Sequence, residues 1–270
     1  MAIELGILGS GNMAEAIARG VVRSGLLLSD QIYAADPSPQ RRAVFSEELG
    51  IRTTAENREV AREARMLLLS VKPQQMKDVL AAIGPVARPD ALFISIAAGI
   101  SSRFIEEHLG DNQNWRVIRT MPNTPMLVGE GMVALARGRH ATEADAAEAR
   151  KLFEAAADVI EVAEDKLDAV TGVSGSGPAY FFYLVEQIIS AGCELGLSAE
   201  ESRKLAIKTC AGAARMLATS SDSPAELRRK VTSPGGTTQA AITHLEQNQV
   251  GLRIIEAVKA AARRSRELGS

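Results

Sequence analysis

The sequence predicts an α/β domain built on a parallel sheet, followed by an all-helical domain. Three observations carry that prediction. Short apolar runs alternate with helix-patterned stretches through the first half, the strand signals stop after about Val162, and the remainder holds long helical patterns. A chain of 270 residues has room for two domains at about 100–200 residues each. The charged cluster Glu161-Val162-Ala163-Glu164-Asp165-Lys166 marks the boundary, dividing residues 1–163 from 164–270.

Residues 3–8, 31–35, 66–71 and 92–96 are predicted strands, with weaker candidates at 115–120 and 132–136. The runs are apolar at consecutive positions rather than alternate ones, as in strands covered on both faces. Between them, residues 13–24, 39–49, 57–63 and 73–87 suit helices. In the second half, residues 180–195, 198–219 and 250–268 are predicted long helices. The second of these opens on Ser198-Ala199-Glu200-Glu201, a capping box in which Ser198 and Glu201 satisfy free backbone amides reciprocally. The last places Leu252, Ile255, Val258 and Ala262 on one face. A helical half with several Ala- and Leu-rich faces and no sheet to cover them is expected to form a dimer whose interface resembles a divided core.

Composition excludes several function classes. Basic residues number 31 against 33 acidic ones, and aromatics are 4% of the chain, so neither charge nor stacking surface points to nucleic acid or an anionic membrane. Cys193 and Cys210 are too few for a disulfide scaffold and lack zinc-ligand spacing, so no metal site is expected and both are read as buried, reduced thiols. The uncharged stretch 169–185 contains Gly172, Gly175, Gly177 and Pro178, which is unlike a membrane helix. Met1-Ala2-Ile3-Glu4 shows no basic segment before an apolar run, so a soluble cytoplasmic protein is expected.

The first predicted strand runs into Gly9-Ser10-Gly11-Asn12-Met13-Ala14 and then into a helix. Gly9 permits a tight turn, Gly11 allows a pyrophosphate to approach the backbone, and Ala14 takes the small third position where helix and strand pack closely. The amides of Asn12 and Met13 at the helix start complete a dinucleotide fingerprint. At the end of the second strand Asp36 suits a ribose 2′-hydroxyl and points to NAD, whereas Arg41 and Arg42 suit the 2′-phosphate of NADP. As a structural alternative, Asp36 starts the next turn. Ser70, Val71, Lys72 and Pro73 follow the next long strand, and Ala97, Ala98 and Gly99 the one after it. Ligands bind beyond the carboxyl ends of parallel strands, so these loops are expected to border the nicotinamide half of the cofactor.

Three further stretches are dense in glycine, serine, threonine and proline. They are Arg119-Thr120-Met121-Pro122-Asn123-Thr124-Pro125, Val173-Ser174-Gly175-Ser176-Gly177-Pro178-Ala179-Tyr180 and Val231-Thr232-Ser233-Pro234-Gly235-Gly236-Thr237-Thr238. In the last two a flexible loop is expected to open a helix, where backbone amides and hydroxyls suit a carboxylate. The alternative is a pair of helix-connecting turns with ordinary caps. His108 and His140 are read as surface residues, and His244, six residues after Thr238, as structural.

With these motifs in this order the chain resembles the pyrroline-5-carboxylate reductase family over nearly its whole length. The resemblance implies a Rossmann-type domain, a helical domain that builds a dimer, and in many members a ring-like decamer assembled from such dimers. It implies an active site to which both subunits of the dimer contribute. Asn57, Lys72 and Ala97 to Gly99 would lie near the cofactor, with NADPH favoured and NADH also accepted. Gly236, Thr237 and Thr238 would hold the substrate carboxylate and ring nitrogen, beside Ser176 and Gly235, and Thr238 is the candidate catalytic residue. The implied reaction is hydride transfer to the C=N carbon of 1-pyrroline-5-carboxylate, giving proline. The alternatives are another imine reductase or a β-hydroxyacid dehydrogenase relative, or an NAD(P)-binding protein without turnover. The dehydrogenases usually carry a catalytic lysine, and these loops have none.

Overall fold

The computed structural model describes residues 2–110 and 113–269. It divides into two compact units, Met1–Ser176 with Ala260–Ser270, and Gly177–Lys259.

In the first unit the elements run β1 (Ile3–Leu8), α1 (Asn12–Arg23), β2 (Ile32–Ala35), α2 (Pro39–Ala43), β3 (Arg52–Thr54), α3 (Asn57–Glu63), β4 (Ala64–Leu69) and α4 (Pro73–Ile83). They continue with β5 (Leu92–Ser95), α5 (Ser102–Leu109), β6 (Arg116–Met121), β7 (Gly131–Arg137), α6 (Glu143–Glu154), β8 (Ala157–Glu161) and α7 (Leu167–Val170). The strands form one eight-stranded sheet in the order β3-β2-β1-β4-β5-β6-β7-β8. The chain moves outward from β1 through β2 to β3, then returns to place β4 on the other side of β1. The carboxyl ends of β1 and β4 therefore flank the topological switch point, where open α/β sheets bind their ligands.

The apolar runs are continuous because both faces of the sheet are covered. Leu5, Ile7, Met66, Leu68 and Ile94 pack into one core cluster with Ile17 and Phe153. Leu8, Leu67, Leu69 and Phe93 pack into another with Met76, Leu80 and Trp115.

Several elements depart from the sequence expectation. β7 runs antiparallel to β6, joined to it by a short connection that would be too brief for a parallel crossover. β3 and β8 are edge strands, and α5 and α6 are additional helices; α6 carries a capping box between Thr142 and Asp145. α4 stops at Ile83 rather than 87, because Pro85 has no amide to continue the ladder. The predicted helix 39–49 is an α-turn followed by a π-helical segment, Val44–Glu48.

The second unit holds α8 (Gly177–Glu194), α9 (Ala199–Thr219), α10 (Pro224–Lys230), α11 (Thr237–Gln247) and the first part of α12 (Val250–Leu268). Ser198 and Glu201 form the expected capping box at the start of α9. This unit lacks a core of its own: Phe181, Phe182 and Leu184 on α8 and Leu205 and Leu217 on α9 are all exposed. An apolar groove of about 870 Å³ lies between α8 and α9. Cys193 is exposed and Cys210 half-buried, so the thiols are not buried within one chain; they sit on helices whose apolar faces stay uncovered.

Uncovered apolar area on this scale is the signature of an interface. Light scattering of the purified protein should give at least twice the chain mass, and a monomeric mass at working concentration would contradict it.

Candidate active site

The loop after β1 is stitched to both neighbouring strands. Gly9 N–H donates to the Ala35 carbonyl at 2.8 Å, and Ser70 N–H donates to that of Leu8 at 2.9 Å. Gly9 has φ +93°, and a Cβ there would stand 2.8 Å from the Ser70 carbonyl oxygen, so both conformation and space require glycine. Gly11 differs. Its φ of −71° and ψ of 178° suit any residue, yet a Cβ on it would meet nothing within 4 Å. It opens α1 without a side-chain cap, so the first-turn amides of Asn12 and Met13 have no side-chain acceptor from the cap position. Ser10 is fully buried, and its Oγ is the one buried side-chain polar atom without a partner among the described residues. An open cradle, unengaged amides and an orphaned hydroxyl fit a dinucleotide phosphate.

Asp36 takes a position that sequence alone left open. Its carboxylate accepts from Ser10 N–H at 2.7 Å and from Ser38 N–H at 2.8 Å, which pins the fingerprint loop and starts the following turn. Arg41 Nε donates to the Ser10 carbonyl at 2.5 Å, and its Nη2 pairs with Glu15 at 2.7 Å. Burial raises the Glu15 carboxyl, but hydrogen bonds from Arg41 and Arg19 outweigh it and hold the group below the usual carboxylate range. Arg42 Nη1 donates to the carbonyls of Asp36 and Pro37, leaving its other nitrogens unengaged among the described residues.

The remaining strand ends supply the rest of the rim. Asn57 is the half-buried first residue of α3, after β3. Ser70 and Val71 follow β4, Lys72 is exposed at the N-cap position of α4, and Pro73 takes the first helical position. Ala97, Ala98 and Gly99 follow β5, with Gly99 at φ +79°. The first unit thus gathers Gly9, Gly11, Asn12, Met13, Asp36, Asn57, Ser70 to Pro73 and Ala97 to Gly99 at the carboxyl ends of its parallel strands.

Ser176 closes a π-helical turn, Thr171–Gly175, and its N–H donates to the Thr171 carbonyl at 2.8 Å. The expected flexible loop is therefore helical, a π-turn of the kind that recurs at functional sites. Asn123 ties the proline-rich stretch to it, its Nδ2 donating to the Ser174 carbonyl at 3.2 Å.

In the second unit Gly235, Gly236, Thr237 and Thr238 come together at the start of α11. Gly236 is the N-cap, so Thr238 is the second helical residue and not a cap; its hydroxyl makes no hydrogen bond among the described residues. Ser or Thr hydroxyls cap α5, α6, α9 and α10, whereas α1 and α11 begin on glycines. A groove of about 400 Å³ runs along α11 past Gly235, Gly236, Gln239, Thr243 and His244. His108 is held by its own helix, through Nδ1 and the Phe104 carbonyl at 2.8 Å. No group of three or more potential metal ligands occurs among the described residues.

A family model described as pyrroline-5-carboxylate reductase dimerisation matches residues 164–268, and one described as NADP oxidoreductase, coenzyme F420-dependent, matches residues 4–99. A pyrroline-5-carboxylate reductase of Synechocystis is 42% identical, covering 100% of this chain and 99% of its own. A Coxiella burnetii pyrroline-5-carboxylate reductase structure superposes with TM-score 0.89 at 35% identity, covering all of both chains. A Plasmodium falciparum pyrroline carboxylate reductase, solved with NADP bound, gives TM-score 0.89 at 30% identity over 99% of this chain and 98% of that one.

The open space at Gly11 sharpens one test. Gly11→Val should fold with at most about 1 kcal/mol lost at the N-cap, while dinucleotide affinity falls by at least about tenfold. Unchanged affinity in a fluorescence titration would remove Gly11 from the site.

Proposed function

The chain belongs to the pyrroline-5-carboxylate reductase family, and on that footing we propose that it reduces 1-pyrroline-5-carboxylate to L-proline with NAD(P)H, the last step of proline biosynthesis. The observation that carries the substrate assignment is the start of α11, where Gly235 and Gly236 leave the amides of Thr237 and Thr238 without a side-chain cap. Those amides bind the substrate carboxylate, helped by the positive end of the helix, with Ser176 as a further polar contact. The cofactor supplies the hydride that the C=N carbon accepts.

A protonated imine is already electrophilic, so the chain need not supply a strong acid. Thr238 Oγ1 accepts from the ring N–H and keeps that hydrogen bond as the imine becomes an amine, which orients the carbon for attack. Gly9, Gly11, Asn12 and Met13 bind the pyrophosphate. Ser70 to Pro73, Ala97 to Gly99 and Asn57 border the rest of the cofactor.

For the nucleotide, Asp36 is engaged with two backbone amides and Arg41 with Ser10 and Glu15, so Arg42 is the cation left for a 2′-phosphate. NADPH is the preferred donor, and NADH is also used. The family's dimerisation segment and the bare faces of α8 and α9 make the protein a homo-oligomer. Its unit is a dimer closed over those faces, assembled further into a decamer. No helix among the described residues is long and apolar enough to cross a membrane. The net charge of −2 gives no electrostatic reason to expect nucleic acid or an anionic membrane as partner, and the proposed compartment is the cytoplasm.

NAD(P)H consumption in the presence of 1-pyrroline-5-carboxylate tests the activity directly. Thr238→Ala should lower kcat/KM for that substrate by about one to two orders of magnitude, the value of a hydrogen bond to a charged partner. Because Gly236 holds the cap position, the denaturation midpoint should stay near wild type; near-normal kcat/KM would reject Thr238 as catalytic. Arg42→Ala should raise KM for NADPH by about tenfold and leave that for NADH nearly unchanged. An equal change for both donors would remove Arg42 from the 2′-phosphate site.

A further inference from the structure

The Ala97-Ala98-Gly99 loop has little to hold it from within. Between Ala97 and Ile100 the backbone makes one hydrogen bond among the described residues, from Ala97 N–H to Ser95 Oγ at 3.3 Å. The loop is instead bracketed from outside. Beyond its exit, Ser102 donates through both N–H and Oγ to the Glu164 carboxylate, at 2.7 and 2.6 Å. At its middle, Gly99 lies against the last turn of α12. A Cβ on Gly99 would stand 2.7 Å from the Ser265 carbonyl oxygen, and Gly269 packs onto the Gly99 carbonyl. Ser265, itself 2% exposed, donates through Oγ to Asp168 at 2.7 Å.

The two brackets meet at one buried cation. Arg119 on β6 is 6% exposed, with Nη1 3.5 Å from Glu164 and Nη2 3.9 Å from Asp168. A buried guanidinium requires opposite charge beside it, so both carboxylates are held inward, each with a serine from one bracket. Arg266 approaches the outer side of Asp168 at 3.8 Å.

We propose that the Glu164–Arg119–Asp168 cluster, acting through Ser102 and Ser265, positions the Ala97-Ala98-Gly99 loop for the nicotinamide end of the dinucleotide. This rests on the reading that the loop borders that end of the cofactor. The cluster touches no substrate and moves no proton. It fixes the backbone of a loop that has almost no hydrogen bonds of its own.

The test uses Asp168→Asn and the milder Ser265→Ala in the full-length protein, titrated with NADPH and with 2′-phospho-ADP-ribose, which lacks the nicotinamide. Both variants should weaken NADPH by about tenfold and leave the fragment at its wild-type affinity. Hydrogen exchange at the amides of 97–102 should accelerate in both. Unchanged NADPH affinity, or equal weakening of NADPH and fragment, would overturn the proposal. Ala98→Trp, placed in the loop itself, separates the two claims. If it leaves NADPH binding unaltered, the loop does not border the nicotinamide; if it weakens NADPH while the cluster variants do not, the positioning role alone is wrong.

Discussion

The backbone of Ser10 is held at both of its polar groups, and the arrangement at the strand ends depends on it. Asp36 takes the N–H and Arg41 takes the carbonyl. Both bonds involve an ionised side chain, the kind worth about 1.5–3 kcal/mol each. Arg41 is held in turn by Glu15 on the first turn of α1, so helix and loop are locked together. The pairing of β1 with β2, Leu8 opposite Ala35, brings Asp36 level with the loop. Because the grip comes from these side chains, the amides beyond Gly11 keep no side-chain acceptor from the cap position.

Much of the first unit was legible because its strands are buried on both faces. Residues 3–8, 66–69 and 92–95 are apolar at nearly every position, and a parallel sheet between helices is what such runs require. β3 was not legible, since Arg52-Thr53-Thr54 is a short polar edge whose partner is chosen by the sheet rather than by its own pattern. The direction of β7 was not legible either, as antiparallel and parallel strands buried on both faces carry the same apolar residues. For the candidate site, Gly9 could be read because backbone conformation and space demand glycine there, and Gly11 because its spacing from Gly9 between a strand and a helix is that of the fingerprint. The partners of Asp36 could not, because an acid at the end of a strand suits a ribose or a neighbouring amide equally well until register decides. Arg119 was hidden for a similar reason: its two carboxylates come from a later turn of the chain that only the fold brings beneath β6.

The second unit answers to a different constraint. Within one chain α8 and α9 leave Phe181, Phe182, Leu205 and Leu217 exposed, and Gly177, Ser202 and Ala206 are the buried residues of these two helices. A monomer would keep several large apolar side chains in water, each disfavoured by roughly 1.5–3 kcal/mol relative to burial. Small residues along the groove, Ala206, Ala213 and Ala214 among them, leave room for a partner's side chains. Assembly therefore completes the hydrophobic core of this half of the chain.

In the proposed reaction, position outweighs acid–base chemistry. One hydrogen bond from the ring N–H to Thr238 accounts for about one to two factors of ten in rate. Holding two reactants in a near-attack geometry accounts for about 7–11 kcal/mol, several times as much. An enzyme that relies on the larger effect must fix the backbone that carries its ligands, and the chain does so with charge behind the site rather than in it. Asp36 and Arg41 fix the fingerprint loop, while Arg119 with Glu164 and Asp168 fixes the flanks of the Gly99 loop. Each of these groups already has its partners, in the backbone or in one another. Their function is rigidity, and the hydroxyls and amides in front of them are left to meet the ligands.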